Sequence, residues 1–451
     1  MTNLNKFLHT TKTMSKDRTF EITNVQSDKD SLSFVLSGSH EYGLDKSLAN
    51  AIRRTLLNDI PTVAFEVDEE YPTKDITMVK NDTSLHNEMM MQRIGLVPLY
   101  LNPDTFLKDY LFECKVSHDG QNPFQFITAN DMNIYPLRTE LQQQVSEMLD
   151  ESSVPEDPRV YDELRERLHT HDPSNYDLMK PLNQGLKDEI LRPFEFRGEK
   201  SYCLLYELKR TNTDGTFQSL HFYGSPSVKT AQENSRYQAV SQSSYAFLKD
   251  DHLIQQVLKD KIALENVVDE DVEEFTKKFL LGESERYYHR DSEGEPYRYN
   301  FYVKSCHYYD SGDLVKKSLE ILMDACDSLK TSFLTLLKEQ PDDSAISVER
   351  VDEHNLKYTL FDVGHTMGNL LQSHIVRRCI NEKSILSVCG YKKPHPLQEL
   401  IVLYVSLNPK HKISKENEAR KFQLITTFLM DQLEELKNIL KELLEVSRKT
   451  L

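Results

Sequence analysis

The sequence has no closely spaced cysteine pair, no long apolar run and no excess of positive charge. Its six cysteines, Cys114, Cys203, Cys306, Cys326, Cys379 and Cys389, are scattered without a CxxC. That spacing writes neither a disulfide framework nor a zinc ribbon, so reduced core thiols are expected. No stretch approaches the roughly 20 apolar residues that span a bilayer. The amino-terminal residues are rich in Lys, Thr and Asn without an apolar core, so a soluble intracellular protein is expected. Asp and Glu number 72 against 55 Lys and Arg, a net charge of −17, which opposes general attraction to phosphate backbones. Nucleic acid near this chain is expected to be held by partners. The sequence also lacks a GxxxxGK[ST] phosphate loop, a GxSxG elbow and an HExxH helix.

What is present is an internal repeat. The 451 residues suit two to four domains of roughly 100–200 residues each. A strand over Leu32–Leu36 leads through Gly38 and Gly43 into a helix near Ser47, which Asp59 and Pro61 stop before a short strand, Val63–Val67. Leu48, Ile52 and Leu56 stack on one helix face with Ala49 and Ala51 beside them; Asn50, Arg53 and Arg54 occupy the other. Far downstream, a strand over Leu356–Phe361 precedes a helix opened by His365 or Thr366, with Met367, Leu370, Leu371 and Ile375 on its apolar stripe. Asn381–Ser384 ends it before a strand at Ile385–Cys389. Ser47-Leu48-Ala49-Asn50 matches Thr366-Met367-Gly368-Asn369 in chemistry at every position.

The correspondence extends to both ends. A strand at Tyr299–Val303 precedes a helix from near Asp313 carrying Leu314, Leu319, Leu322, Ala325, Leu329, Phe333 and Leu336. A strand at Glu399–Leu407 precedes another from near Lys415 carrying Phe422, Ile425, Leu429, Leu433, Leu436, Leu440 and Leu444. Each apolar stripe needs a partner, and the other half supplies it, giving a pseudo-twofold heterodimer within one chain. Gln340, Pro341, Asp342 and Asp343 read as the connector. The stretch from Val67 to about Ser292 has no counterpart in the second half and reads as an insertion. Within it, Asp150–Asp157 and His169–Asn175 are polar loops and Glu265–Glu274 an acidic run, all expected to be solvated and mobile. The expected domains are 1–66 with 293–340, the insert 67–292, and 344–451.

Two motifs in the first half, joined by two in the second, resemble a known family. Ser47-Leu48-Ala49-Asn50-Ala51-Ile52-Arg53-Arg54-Thr55-Leu56-Leu57 with Ile60-Pro61-Thr62-Val63-Ala64, then Asn81-Asp82-Thr83-Ser84-Leu85-His86-Asn87-Glu88 and Arg93-Ile94-Gly95-Leu96-Val97-Pro98-Leu99, resemble the larger platform subunit of multi-subunit RNA polymerases. That group includes bacterial alpha, archaeal D and L, and the third and eleventh subunits of eukaryotic polymerase II. The second half is similar to the smaller partner through His365-Thr366-Met367-Gly368-Asn369-Leu370-Leu371 and Gly390-Tyr391-Lys392-Lys393-Pro394-His395-Pro396-Leu397. From Arg138 to Asp188 the resemblance runs out. Where the larger subunit often has Glu-His-Ala-Lys-Trp-Ser-Pro-Val, this chain has Glu233-Asn234-Ser235-Arg236-Tyr237-Gln238-Ala239-Val240, keeping a cation and an aromatic. Relatives that bind zinc or an iron–sulfur cluster do so through clustered cysteines, whereas the insert offers Cys114 and Cys203 far apart.

The resemblance implies an α+β fold: a bacterial-alpha-like pseudo-twofold dimerisation core formed within one chain, with a large inserted α+β domain. It implies a non-catalytic assembly subunit that nucleates docking of the two largest polymerase subunits, beside small zinc-binding-type subunits. Fusion of both partners resembles the arrangement in large cytoplasmic DNA viruses, which would place the chain in virion and host cytoplasm; a cellular protein would be nuclear. Neither membrane association nor sequence-specific nucleic acid contact is expected.

The implied partner surface comprises Asn50, Arg53, Arg54, Arg93, Gly95, Arg236, Tyr237, Tyr391 and His395. Paired arginines offer forked donors to a partner's carboxylates and carbonyls, although an ordinary solvated face reads the same way. Gly95 and Pro98 could shape a turn, with Arg93 capping the helix before it. The implied intramolecular dimer core is Leu48, Ile52, Leu56, Met367, Asn369, Leu370 and Leu371, with Gly368 admitting close approach. Polymerase chemistry needs clustered carboxylates on magnesium. The nearest groups, Asp310-Ser311-Gly312-Asp313 and Asp291-Ser292-Glu293-Gly294-Glu295, read as turns, the first as a helix cap. His169-Thr170-His171-Asp172 implies no third ligand, and His365 and His395 belong to motifs that bind no metal. No catalytic residue, cofactor or metal is expected. Two rival functions stay open: a free-standing transcription regulator with the same dimerisation fold, and a nucleotide-handling enzyme.

Overall fold

A computed structural model describes residues 20–38, 44–67, 75–106, 110–136, 181–210, 215–291, 294–338, 345–352, 354–380, 384–409 and 418–451. Gly43, the loops at Asp150–Asp157 and His169–Asn175, and the connector Gln340–Asp343 lie outside them. The chain forms two compact units: Met1–Ile60, Val240–Cys306 and Asp310–Leu451 make the first, Pro61–Ala239 with His307–Tyr309 the second.

β1 (Glu21–Ser27) and β2 (Ser31–Ser37) form a hairpin leading into α1 (Lys46–Asn58). The chain then builds the second unit from β3 (Pro61–Ala64), β4 (Ile76–Asn81), α2 (Asn87–Gly95), β5 (Tyr110–Ser117), β6 (Phe124–Thr128), β7 (Met132–Pro136), α3 (Gln184–Leu191), β8 (Phe194–Phe196), β9 (Glu199–Ser201), β10 (Leu204–Lys209), β11 (Ser219–Gly224) and β12 (Ser227–Thr230). It returns with β13 (Val240–Phe247), α4 (Asp251–Leu264), α5 (Val272–Gly282), β14 (Arg298–Ser305) and the long α6 (Ser311–Leu337). The remainder is β15 (Ile346–Arg350), β16 (Asn355–Phe361), α7 (His365–Cys379), β17 (Leu386–Lys392), β18 (Leu400–Leu407) and α8 (Glu418–Thr450).

The first unit holds two antiparallel sheets of one topology, ordered β1-β2-β14-β13 and β15-β16-β18-β17. In each, a hairpin runs into a helix, the next strand takes an outer edge, and the last strand returns to the middle before a long helix. α1 packs on α7, and α6 on α8. Both halves therefore bury their stripes against each other, giving the α+β pseudo-twofold core. Leu48, Ile52 and Leu56 are buried on α1; Leu370, Leu371 and Ile375 on α7; Leu319, Leu322, Leu329 and Phe333 on α6; and Leu429, Leu433, Leu436 and Leu440 on α8. Phe333 meets Tyr358 of β16 edge-on, with centroids 5.9 Å apart, and the Tyr358 hydroxyl lies 3.0 Å from Thr426 Oγ1 on α8.

The repeat differs from the expected one at a strand. β3 does not correspond to β17: it pairs with β12 in the second unit, and β13 takes the equivalent place, pairing with β14. The second unit accordingly runs from Pro61 to Ala239, whereas the insert was expected over 67–292. The difference arises because β13 pairs far along the sequence, and because α4 and α5 extend the β13–β14 hairpin. That helix pair has a small core of its own in Ile254, Leu258 and Phe279. The acidic run Glu265–Glu274 spans its exposed turn and opens α5, where Glu273 and Glu274 reach Lys277 and Lys278 one helical turn on.

The second unit is built on the sheet β4-β11-β5-β7, with the ribbons β12-β3 and β10-β6. Phe65, Met90, Ile94, Phe112, Leu208 and Phe222 are among its core side chains.

Candidate partner interface

The α1–α7 crossing is organised by Asp45, the N-cap of α1, whose carboxylate accepts from the Leu48 N–H at 2.9 Å and the Ser47 hydroxyl at 2.7 Å. Its second oxygen accepts from Ser373 Oγ of α7 at 2.6 Å, with Arg377 Nη1 3.7 Å away. One carboxylate thus caps its own helix and receives the other half. Burial alone would push the Asp45 carboxyl up, but the bonds from Ser373, Leu48 and Ser47, with Arg377 beside them, hold it below the usual carboxylate range.

A second bond crosses in the reverse sense, from Arg54 Nε to Thr366 Oγ1 at 3.0 Å. With Ser47 laid on Thr366, Arg54 corresponds to Ser373, so the two bonds join near-equivalent positions in opposite order. The long helices do likewise: Lys330 donates to Glu434 at 2.8 Å and Lys437 to Asp327 at 2.9 Å. An acid and a lysine three residues apart on each helix pair crosswise, as a twofold relation requires. These are solvent-exposed pairs that add little to stability; their value is in setting register.

Asp45→Ala should therefore cost about 2 kcal/mol, the cap and the Ser373 bond together. Asp45→Asn, which keeps an oxygen for the cap, should lose less; urea midpoints at neutral pH measure both.

His374 lies at the same junction, its side chain nearly enclosed and Nε2 3.8 Å from Glu435 of α8. Burial pushes its imidazole below the ordinary 6.5, with Arg378 adding to that and the Glu435 and Asp45 carboxylates opposing it. Below pH 6.5 the unfolded chain takes up a proton that the fold disfavours. Stability from this group is complete above that value and lost as pH falls towards the depressed one. Asp45 adds to the loss at lower pH, below its ordinary 3.8. The urea midpoint should fall between about pH 7 and pH 5, and His374→Gln should flatten that slope.

The expected partner-surface residues separate into two groups. Asn50 and Arg53 stay together and half-exposed, Arg53 Nε donating to Asn50 Oδ1 at 3.0 Å. Arg93 is exposed and donates to the Leu204 carbonyl at 3.2 Å. His395 is exposed, its Nδ1 accepting from the Leu397 N–H at 3.2 Å. Tyr391 is half-buried, its hydroxyl 3.2 Å from His365 Nδ1 and its N–H donating to Gln372 Oε1 at 2.8 Å.

The others point inward. Arg54 is used across the two halves. Tyr237, 1% exposed, sits inside the second unit with its hydroxyl 3.0 Å from Ser227 Oγ and its carbonyl accepting from Thr62. Gly95 is buried where a Cβ would strike Arg236 Nη1 and come within 2.9 Å of Val67 Cγ2. The missing side chain lets Arg236 donate to the Phe65 carbonyl at 3.1 Å. These residues shape the second unit, and burial removes Tyr237 and Gly95 from any outer surface.

In the dimer core, Leu48, Ile52, Leu56, Leu370 and Leu371 are buried, while Met367 and Asn369 are only half-buried. Gly368 is the close-approach position: a Cβ there would lie 2.7 Å from Ile401 Cδ1 and 2.9 Å from Tyr391 Cδ2.

Sequence reading missed Asp45, Ser373 and Arg377. An Asp three residues before an apolar-periodic run was a readable cap signal; its cross-half bond was not. Asp291 and Glu295 share a turn, with the Glu295 N–H on Asp291 Oδ1 at 2.8 Å. Asp310 occupies the N-cap position of α6 without a side-chain cap bond. Among the described residues no three His, Cys, Asp or Glu side chains converge as a metal site would require. No described helix is long and apolar enough to cross a membrane. His169, His171 and Asp172 lie outside the described residues.

A family model described as the RNA polymerase Rpb3/Rpb11 dimerisation domain matches residues 40–326, more than half the chain. The chain belongs to this family. Among curated relatives, the DNA-directed RNA polymerase subunit Rpo3 of Pyrococcus furiosus is 36% identical over 91 residues, 20% of this chain and 30% of the relative. The mouse DNA-directed RNA polymerases I and III subunit RPAC1 is 34% identical over 91 residues, 20% of this chain and 22% of the relative. A Dictyostelium discoideum rpac1 is 22% identical over 163 residues, 36% of this chain and 41% of the relative. The chain thus spans less than a third of the Pyrococcus and mouse relatives it matches. The Rpb3/Rpb11 match covers α1, the second unit and the start of α6. The half beginning at β15 lies beyond it; its sheet shares the strand order of the first half's sheet.

Proposed function

We propose that this chain is a non-catalytic platform subunit of a DNA-directed RNA polymerase in which the larger and smaller dimerisation partners are fused. The observation that carries this reading is the shared strand order of the two four-stranded sheets, joined crosswise at α1–α7 and α6–α8 within one polypeptide of the Rpb3/Rpb11 family. Separate partners would pair through these surfaces; here the pairing is intramolecular, so the core forms without a second subunit. The half-exposed Asn50–Arg53 pair and the exposed Arg93 and His395 offer donors to the two largest polymerase subunits, with small zinc-binding-type subunits beside them. A fused platform matches the economy of large cytoplasmic DNA viruses. In that case the chain works in the virion and the host cytoplasm; in a cell it works in the nucleus.

The test is a tagged pull-down from the native source at moderate salt, with co-purifying chains identified by mass spectrometry. Recovery of the two largest polymerase subunits is expected. A chain recovered alone would overturn the proposal and favour a free-standing regulator.

A further inference from the structure

Among the described residues, the second unit carries an apolar face that stays exposed. β6 alternates: Ile127 is 0% exposed in the core, while Phe124 and Phe126 on the other side are 52% and 61% exposed. β10 turns Leu205 and Leu208 inward and leaves Leu204, Glu207 and Lys209 outside. The antiparallel register sets Lys209 opposite Phe124 and Glu207 opposite Phe126, and directly opposed residues share a face. The outer side of the ribbon therefore presents two phenylalanine rings and Leu204. Arg210 is exposed beside Lys209, and at the other end Arg93 holds the Leu204 carbonyl. Arg93, Lys209 and Arg210 border this strip together with Glu207 and with Asp131, whose carboxylate accepts from the Thr128 hydroxyl opposite Leu204 at 3.1 Å; cations outnumber carboxylates three to two here, in a chain whose net charge is −17. No third strand joins the ribbon among the described residues.

We propose that the β6–β10 face docks a segment of a partner protein that is apolar at its centre and acidic at its flanks. Apolar side chains cover the two rings, and carboxylates meet Lys209, Arg210 and Arg93, which selects the partner by charge and speeds encounter. A single nucleic acid strand also stacks on exposed rings. Glu207 opposite Phe126 opposes a continuous phosphate track, so protein is the better fit. The proposal rests on the polymerase reading only for where the partner is sought.

The experiment places the photo-reactive residue p-benzoylphenylalanine at Phe126 of the full chain in its native source. The assembled complex is irradiated, and the cross-linked product is sequenced by mass spectrometry. Because Phe126 is exposed, melting should be unchanged. The expected product is a peptide with Leu, Ile or Phe flanked by Asp and Glu, its yield falling about tenfold when Lys209→Glu and Arg210→Glu are added. No cross-link, a cross-link to nucleic acid or to a basic peptide, or a yield indifferent to charge reversal overturns the proposal. Loss of the two largest subunits from the purified complex would instead count against the polymerase reading, and the cross-link would still report on this face.

Discussion

Leu48→Asp should abolish cooperative folding of the first unit, lowering stability by more than about 4 kcal/mol at neutral pH. Leu48 is 2% exposed on the buried face of α1. One turn on, Ile52 lines an apolar pocket with Phe34, Phe301 and Leu319 of the first half and Leu443 of the second. A carboxylate at Leu48 would be buried on the face that also holds Ile52 and Leu56. It must either stay charged in an apolar site or bind a proton at a cost of the same order. With typical domain stabilities of about 5–15 kcal/mol, most of the fold's margin is lost. Leu48→Met, which conserves volume and polarity, should cost less than about 1.5 kcal/mol. Urea unfolding followed by far-UV circular dichroism measures both, and an unchanged midpoint for the aspartate variant would show that this face is not buried against the rest of the unit.

Gly368→Val should destabilise the second half by about 3 kcal/mol. The backbone of α7 lies against β17 and β18 so closely that a single Cβ meets Ile401 and Tyr391 inside van der Waals contact. A branched side chain forces the helix off the sheet, and overpacking of this kind costs about 1–3 kcal/mol before any lost bonds are counted. Displacing α7 also pulls Ser373 from Asp45 and Thr366 from Arg54, coupling the local clash to the junction between halves. Gly368→Ala sets a helix-propensity gain of about 1 kcal/mol against a smaller clash, so it should fall well short of the valine variant. Thermal melting of the two variants side by side gives the comparison; equal melting points would remove the close approach from the account.

The repeat was legible because its signals are local. α1 and α7 each show an apolar stripe at helical spacing, and α6 and α8 carry theirs over many turns. β14 and β18 are apolar enough to stand out, each being the buried middle strand of its sheet. β1, β13 and β15 were not legible, for one physical reason. They are edge strands, and Ile22 of β1 and Ile346 of β15 are the lone buried side chains of their strands, so neither shows a full apolar alternation. β13 buries Val240 and Ser243 amid a Ser-rich run, and only its long-range pairing with β14 marks it as part of the first sheet. Missing it put the insert's end too far along the chain.

At the candidate interface, sequence supplied residue types and not their direction. Arg53 and Arg54 are neighbours on the helix, yet one is held by Asn50 at the half-exposed face and the other bridges to Thr366. Gly95 and Arg236 are far apart in sequence, and only the fold shows that the glycine exists to admit the guanidinium. Tyr237 reads as a surface aromatic beside a cation until its hydroxyl is found on Ser227 inside the core.

The most direct test of a fused platform is the subunit stoichiometry of the native complex, measured by native mass spectrometry of particles purified through a tag on this chain. The account predicts one copy of this chain for one copy of each of the two largest polymerase subunits, and no separate chain of the Rpb3/Rpb11 family. A second copy of this chain, or a separate small dimerisation partner bound to it, would contradict it.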